Sequence, residues 1–272
     1  MKKLLLLLWI LILIPGLAAQ ESGISVMNSF TSQNYVFFAR DLSDAEAALS
    51  WKPELFAEYF PLPRLRLSAE LCMDNSLRMV FDGDDSSQEL DFEPYRAWGA
   101  VSYRSTELKA GLQHIRMGVA QILRPLQWFD TLVPGSMLRE TEGVEAITLT
   151  HFFPNPDLRL WAMPAKDEAK GAELLASRDG TWEFGGRVGW INPLGETGLS
   201  YHHREAGDPF SLEGVEEHRL GLDQRVDGFM GGWLEAAYTA QDEAIRVPTP
   251  LGYQELPKNR MSVTLGGDYT FD

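Results

Sequence analysis

Cysteine is nearly absent from this chain. Cys72 stands alone among 272 residues, which excludes an internal disulfide framework and any zinc site built on paired cysteines. No His-x-x-x-His spacing, Gly-rich phosphate loop or dinucleotide fingerprint occurs, so no metal or cofactor is expected from motifs. Positive charge is also scarce. Against 39 Asp and Glu there are 24 Lys and Arg, a formal charge of −15. That balance argues against nucleic acid or an anionic lipid surface as a general partner. No low-complexity linker or composition break interrupts residues 20–272, so they read as one domain.

One long apolar run exists, and it is at the start. Lys2 and Lys3 precede LLLLLWILILI (4–14), followed by Pro15, Gly16, Leu17, Ala18 and Ala19. A charged n-region, a short apolar core and small residues form a secretory signal peptide, residues 1–19, with cleavage expected near Ala19. No cysteine follows to carry a lipid. Loss of Lys2 and Lys3 takes the formal charge from −15 to −17. The remainder has no second run long enough for a spanning helix, which needs about 20 residues. The mature chain is therefore either soluble after export or crosses a membrane as strands.

The remaining sequence alternates with period two. In 64–72, Leu65, Leu67, Ala69 and Leu71 oppose Arg64, Arg66, Ser68 and Glu70; in 181–190, Trp182, Phe184, Val188 and Trp190 oppose Glu183 and Arg187. This is the pattern of strands with two unlike faces. It predicts about twelve strands (10–14), at 31–39, 45–52, 64–73, 93–104, 107–117, 143–153, 157–164, 181–190, 195–204, 214–224, 229–241 and 260–271, with 55–60 and 77–82 as extensions or local pairs. From the fourth strand on, short turns (105–106, 154–156, 192–195, 225–228), most of them bearing Pro, Gly, Asn or Asp, alternate with longer connections (118–142, 165–180, 205–213, 242–259).

Short turns at one end and long loops at the other predict an all-β, closed antiparallel up-and-down barrel of the outer-membrane type. Closure pairs the last strand with the first, leaving no open edge in lipid. The final stretch, VTLGGDYTF, resembles the terminal-aromatic strand that bacterial barrel insertion machinery reads; Asp272 adds one residue beyond it. Trp51, Trp182, Trp190, Tyr238, Tyr269 and Phe271 are expected in aromatic girdles. Arg64, Arg66, Glu70, Arg96, Arg116, Arg159, Glu183, Arg187, Arg204 and Arg219 fall on the polar phase and are expected to line a lumen.

The loop 118–142 is long and apolar, and Leu126, Trp128 and Phe129 are its candidates for constricting that lumen; packing on the rim is the alternative. Its lead-in, GLQHIRMG followed by RPLQWFDTLVP, resembles a strand-and-loop region of porin-like barrel proteins of Gram-negative bacteria. Gly111, Gln113 and Ile115 match, whereas His114 stands where Arg is usual and Met117 where Trp is usual. The resemblance implies an outer-membrane channel for passive diffusion of small polar solutes, without enzymatic activity or cofactor. Its surroundings would be outer-membrane lipid and lipopolysaccharide, and it would be a monomer or a trimer. The alternatives are a non-conducting structural or adhesive barrel, and a barrel-embedded hydrolase using Ser200 and His202, which share a strand face. His114, His151 and His218 read as isolated, and Asp82, Asp84, Asp85, Glu89 and Asp91 as a solvated acidic connection.

Overall fold

The computed structural model describes residues 24–38, 44–82, 85–131, 141–207, 214–228, 231–250 and 252–268. The expected signal peptide, Asp84, Tyr269 and Phe271 lie outside the described residues. Among the described residues every regular element is a strand, and the paired meander strands are antiparallel. The chain divides into two compact units at Arg104 and Ser105.

The first unit holds β1 (Ile24–Phe38), β2 (Asp44–Leu62), β3 (Leu65–Asp82) and β4 (Asp85–Tyr103), paired in chain order. These strands are longer than the alternation suggested. The segments 45–52 and 55–60 form one strand of 19 residues, as do the supposed connection 85–92 and the strand after it. A tilted strand needs only about 9–11 residues to cross a bilayer, so these hairpins reach well beyond that. Glu89 and Asp91 accordingly belong to β4 and not to a loop. Pro94 cannot donate to a ladder, and the β3–β4 register shifts there, leaving Tyr95 unmatched. Tyr95 is put to use: Lys52 Nζ lies 3.9 Å and the Arg96 guanidinium 4.1 Å from its ring centre. Arg64 was expected on the polar face of a strand. It instead sits in the β2–β3 turn at φ 73°, exposed, because the reversal needs a left-handed residue there.

The second unit is a meander of eight strands: β5 (Thr106–Gln113), β6 (Val144–Phe152), β7 (Asp157–Pro164), β8 (Trp182–Asn192), β9 (Gly195–Ala206), β10 (Val215–Val226), β11 (Gly231–Gln241) and β14 (Asn259–Asp268). The long connection expected at 242–259 carries a ribbon of β12 (Ile245–Thr249) and β13 (Gly252–Leu256). β5 ends at Gln113, four residues earlier than the alternation implied. Arg116 therefore lies, exposed, in a non-strand segment and not on a strand face. The chain leaves the ladder there because the next residues fold back over the sheet.

The faces of this unit are inverted relative to a water-soluble sheet. On β10 the buried side chains include Glu217, Arg219 and Asp223, while Leu220 and Leu222 are exposed. On β6 Thr148 and Thr150 are buried and Ile147 and Leu149 exposed. Leu265 on β14 is 80% exposed and Glu217 on β10 is 0% exposed. Each large apolar side chain left in water forgoes about 1.5–3 kcal/mol, so this exposed face suits hydrocarbon better than solvent. Leu220→Arg is expected to cost about 2–4 kcal/mol of folding stability in phospholipid vesicles, because it places a charge mid-strand on that face. Denaturant titration of the vesicle-bound protein checks this; an unchanged midpoint would mean the face is not in lipid.

Candidate functional site

The buried face of the second unit collects charge from five strands and two connections. At its centre is Glu217 on β10. Its Oε1 accepts from Arg204 Nε at 2.7 Å and from Arg219 Nε and Nη2 at 2.7 and 2.5 Å. Its Oε2 accepts from Gln241 Nε2 at 2.5 Å and Arg260 Nη2 at 3.1 Å. Glu173, from the connection between β7 and β8, pairs with Arg204 at 2.9 Å and Arg219 at 3.0 Å. Three cations thus share two carboxylates. Two further pairs flank this group. Arg187 bridges to Asp223 on β10 and reaches Ser200 Oγ at 3.5 Å. Glu183 accepts from Lys170 Nζ at 2.5 Å and lies 3.2 Å from His202 Nε2. Buried charges persist where partners are this close.

A loop covers part of this face. Glu235 on β11 receives three backbone N–H groups, from Val119 and Ala120 on Oε2 at 3.0 and 2.9 Å, and from Leu126 on Oε1 at 2.6 Å. Gly118 precedes them at φ 76°, and a Cβ there would lie 2.2 Å from Glu235 Oε2. Gly221 on β10 makes room for Leu126, whose Cδ2 would be 2.4 Å from an added Cβ. Leu126, Trp128 and Phe129 are then buried with Ile115, Met117, Val144, Ala146, Trp161, Met163 and Ala237. Phe129 meets Trp161 and His202 edge-on, at 5.6 and 5.0 Å between centroids. The β7–β8 connection docks on this loop through Ala172 N–H to Gln127 O at 2.9 Å and Gly171 N–H to Thr131 Oγ1 at 2.8 Å. Ile122 and Leu123, in the same loop, are exposed at 77% and 71%.

Asp130 closes the loop on itself. It accepts from Arg124 Nη2 at 2.5 Å and lies 2.6 Å from His114 Nε2. Burial alone would raise its pKa, but the His114 and Arg124 contacts outweigh burial and hold it below the ordinary 3.8. A lowered folded-state pKa contributes stability that is complete above the unfolded value and is lost as pH falls through the folded one. The thermal midpoint of the folded protein should therefore exceed that of Asp130→Asn by a margin that does not shrink from pH 7 to about 4, and that shrinks below. A margin that already vanishes at pH 5 would contradict the pairing.

The expected lining residues have distinct fates. Glu183, Arg187, Arg204 and Arg219 converge on the buried face, each ion-paired. Arg159 on β7 is half-buried and is the register partner of Arg187. In the first unit, Arg66 holds Glu58 at 3.2 Å, and Arg66 and Glu70 share a strand phase with buried Ser68 and Cys72. Arg96 is buried opposite Cys72. Of the girdle candidates, Trp182 is exposed and shares its strand phase with half-buried Trp190. Tyr238 is exposed and donates to Asn259 Oδ1 at 2.7 Å, and Trp51 packs edge-on against Phe92 at 6.5 Å. Ser200 and His202 do share a face, yet His202 Nδ1 accepts from Trp161 Nε1 at 3.2 Å and Ser200 is reached by Arg187. Arg260 escaped notice, although continuing the polar phase of Ser262 and Thr264 back one step would have found it. Lys170 and Glu173 stand in a connection where no periodicity marks them. His218, read as isolated, is the cross-strand partner of His203.

An all-antiparallel up-and-down meander, with apolar side chains on its exposed face and charged ones on its buried face, is the kind of sheet from which porin-like folds are built. Among solved structures, OmpF of Salmonella typhi in complex with daunomycin is similar at a TM-score of 0.51 and 10% identity, over 95% of this chain and 77% of that one. The in-vitro folded trimer form of OmpT, an outer-membrane protein of Vibrio cholerae, aligns at a TM-score of 0.33 and 8% identity, over 91% and 99%. No family model and no curated protein sequence matches the chain.

Proposed function

We propose that this chain is a bacterial outer-membrane channel in which the meander closes by pairing its last strand with its first, and that small polar solutes pass the docked loop. The observation that carries the reading is a cavity of about 550 Å³ on the charged face of the second unit. It lies between that face and the connections, and Arg204, Arg219, Arg260, Glu173, Glu217 and Gln127 line it. Apolar side chains of the connections, Leu123, Leu174, Leu175 and Ile245 among them, complete its wall, and a cavity that carries charged groups on the face turned from the apolar band is what a water-filled path requires. The loop bearing Leu126, Trp128 and Phe129 is then the constriction. Girdle residues would sit at the lipid interfaces, lipopolysaccharide would surround the loop end, and the insertion machinery would read the terminal strand.

Four arginines line the cavity against two glutamates, and Asp130 neutralises Arg124, so one positive charge remains along it and a weak anion preference is expected. Planar-bilayer recordings test this. Wild type should give unitary steps, and Arg260→Glu should shift the reversal potential in a salt gradient toward cations. Unitary steps with the same reversal potential in both proteins would remove the cavity from the path. A second reading, a sealed barrel with a structural role, is favoured by the ten-residue apolar cluster that joins the loop to β6, β7 and β11. It predicts no unitary steps at all.

A further inference from the structure

On the exposed face of the second unit, away from the proposed path, two imidazoles meet. His203 on β9 and His218 on β10 are direct partners in the antiparallel register. Their ring centroids are 4.8 Å apart, with the planes tilted by 40°. Cross-strand partners hold their Cβ atoms about 4.5–5.5 Å apart, a separation that lets two ring nitrogens reach one ion at the roughly 2.0–2.1 Å of a metal–imidazole bond. The strands thus set a pair of ligands that the sequence separates by a loop.

The surroundings orient both rings. The Tyr201 hydroxyl lies 2.9 Å from His218 Nδ1. With Tyr201 accepting from Nδ1–H, the lone pair of His218 is on Nε2, the arrangement in which a ligating histidine is held by an outer partner. Phe184 packs on His203 at 4.7 Å and fixes its plane. His203 Nδ1 is enclosed and has no hydrogen-bond partner, a desolvation cost that nothing in the protein offsets. On the far side, the partner of His218 on β11 is Ala240, which leaves space beside the ring.

Charge decides what such a site would take. On this face the next rung toward the strand ends, two residues along, pairs Glu205 with Glu216. Arg178 neutralises Glu205, and Glu216 is exposed. A phosphate would meet that carboxylate without an arginine or lysine to hold it, whereas a cation is favoured. Calcium and magnesium prefer oxygen ligands, whereas imidazole pairs suit zinc, copper and nickel. Among the described residues no group of three or more His, Cys, Asp or Glu side chains is placed to hold an ion, so two nitrogens and water would make up the coordination.

We propose that His203 and His218 form a two-histidine site for Zn²⁺ or Cu²⁺ at the loop end of the exposed face, three residues before β9 ends at Ala206. The test is a Cu²⁺ titration of the full chain folded in detergent micelles, followed by electron paramagnetic resonance. One ion should bind with hyperfine structure from two imidazole nitrogens, and excess Zn²⁺ should displace it. His203→Gln and His218→Gln should each lower the affinity at least about tenfold, while His151→Gln, whose ring is engaged by Thr106, leaves it unchanged. Folding of every variant is checked by heat-shifted gel mobility. The proposal is overturned if the folded double variant His203→Gln/His218→Gln binds Cu²⁺ as the wild type does, or if the spectrum shows a single nitrogen ligand.

Discussion

Glu217→Ala is expected to be the most destabilising single truncation on the charged face, with a loss of about 3–5 kcal/mol. Glu217 is fully buried and its two oxygens accept from four side chains on β9, β10, β11 and β14. Alanine leaves Arg204, Arg219 and Arg260 facing one remaining carboxylate, Glu173. The penalty is that of uncompensated buried charge and not of one lost hydrogen bond, which is worth only about 0.5–1.5 kcal/mol net. For a chain of this size, each kcal/mol shifts the thermal midpoint by roughly 2–4 °C. The transition followed by heat-shifted mobility should therefore fall by roughly 6–20 °C. Glu217→Gln keeps the oxygen that Arg204 and Arg219 use only if its amide turns toward Arg260, so it should fall between. A loss below about 1 kcal/mol for the alanine variant would mean that water already screens the cluster. The same variant should strengthen anion preference in bilayers, since it adds one net positive charge to the cavity.

Glu235→Ala should act on the loop more than on the sheet. Three backbone N–H groups, of Val119, Ala120 and Leu126, terminate on this one carboxylate. Each buried donor left without an acceptor costs about 1–3 kcal/mol. The loop can relieve that cost by leaving the face and becoming hydrated, whereas the strand ladders do not depend on Glu235. The expected result is protease cleavage within 119–127 and a rise in unitary conductance, with the midpoint of sheet unfolding much less affected. Glu235→Gln retains one acceptor oxygen and should give partial release. If Glu235→Ala leaves both cleavage and conductance unchanged, the apolar contacts of Leu126, Trp128 and Phe129 hold the loop unaided.

The architecture was legible because it rests on period two. β6 to β11 and β14 follow alternation that each strand carries in its own residues, and Pro, Gly and Asn mark most of the short turns between them. The first unit was less legible. Glu89 and Asp91 read as a connection, yet they lie on β4, whose ladder is kept by its neighbour β3 and not by local propensity. The β12–β13 ribbon was missed for a related reason: five-residue strands are too short to establish a period.

The site divides in the same way. Glu183, Arg187, Arg204 and Arg219 could be named from strand phase, because the inverted sheet puts every second residue on the charged face. Their partners were harder. Lys170 and Glu173 reach the cluster from an irregular connection, and Glu235 acts through backbone N–H groups that leave no mark in side-chain pattern. The meeting of His203 and His218 depends on the β9–β10 register, which no single strand encodes.

The central claim is that this chain folds as a closed membrane barrel with its charged residues inside. Electrophoretic mobility of the mature chain, purified from the outer-membrane fraction and run in dodecyl sulfate with and without boiling, tests it most directly. The account predicts a compact, faster-migrating unboiled form that converts to the full-length position on heating. Identical mobility in the two lanes, with the protein recovered outside the membrane fraction, would contradict it.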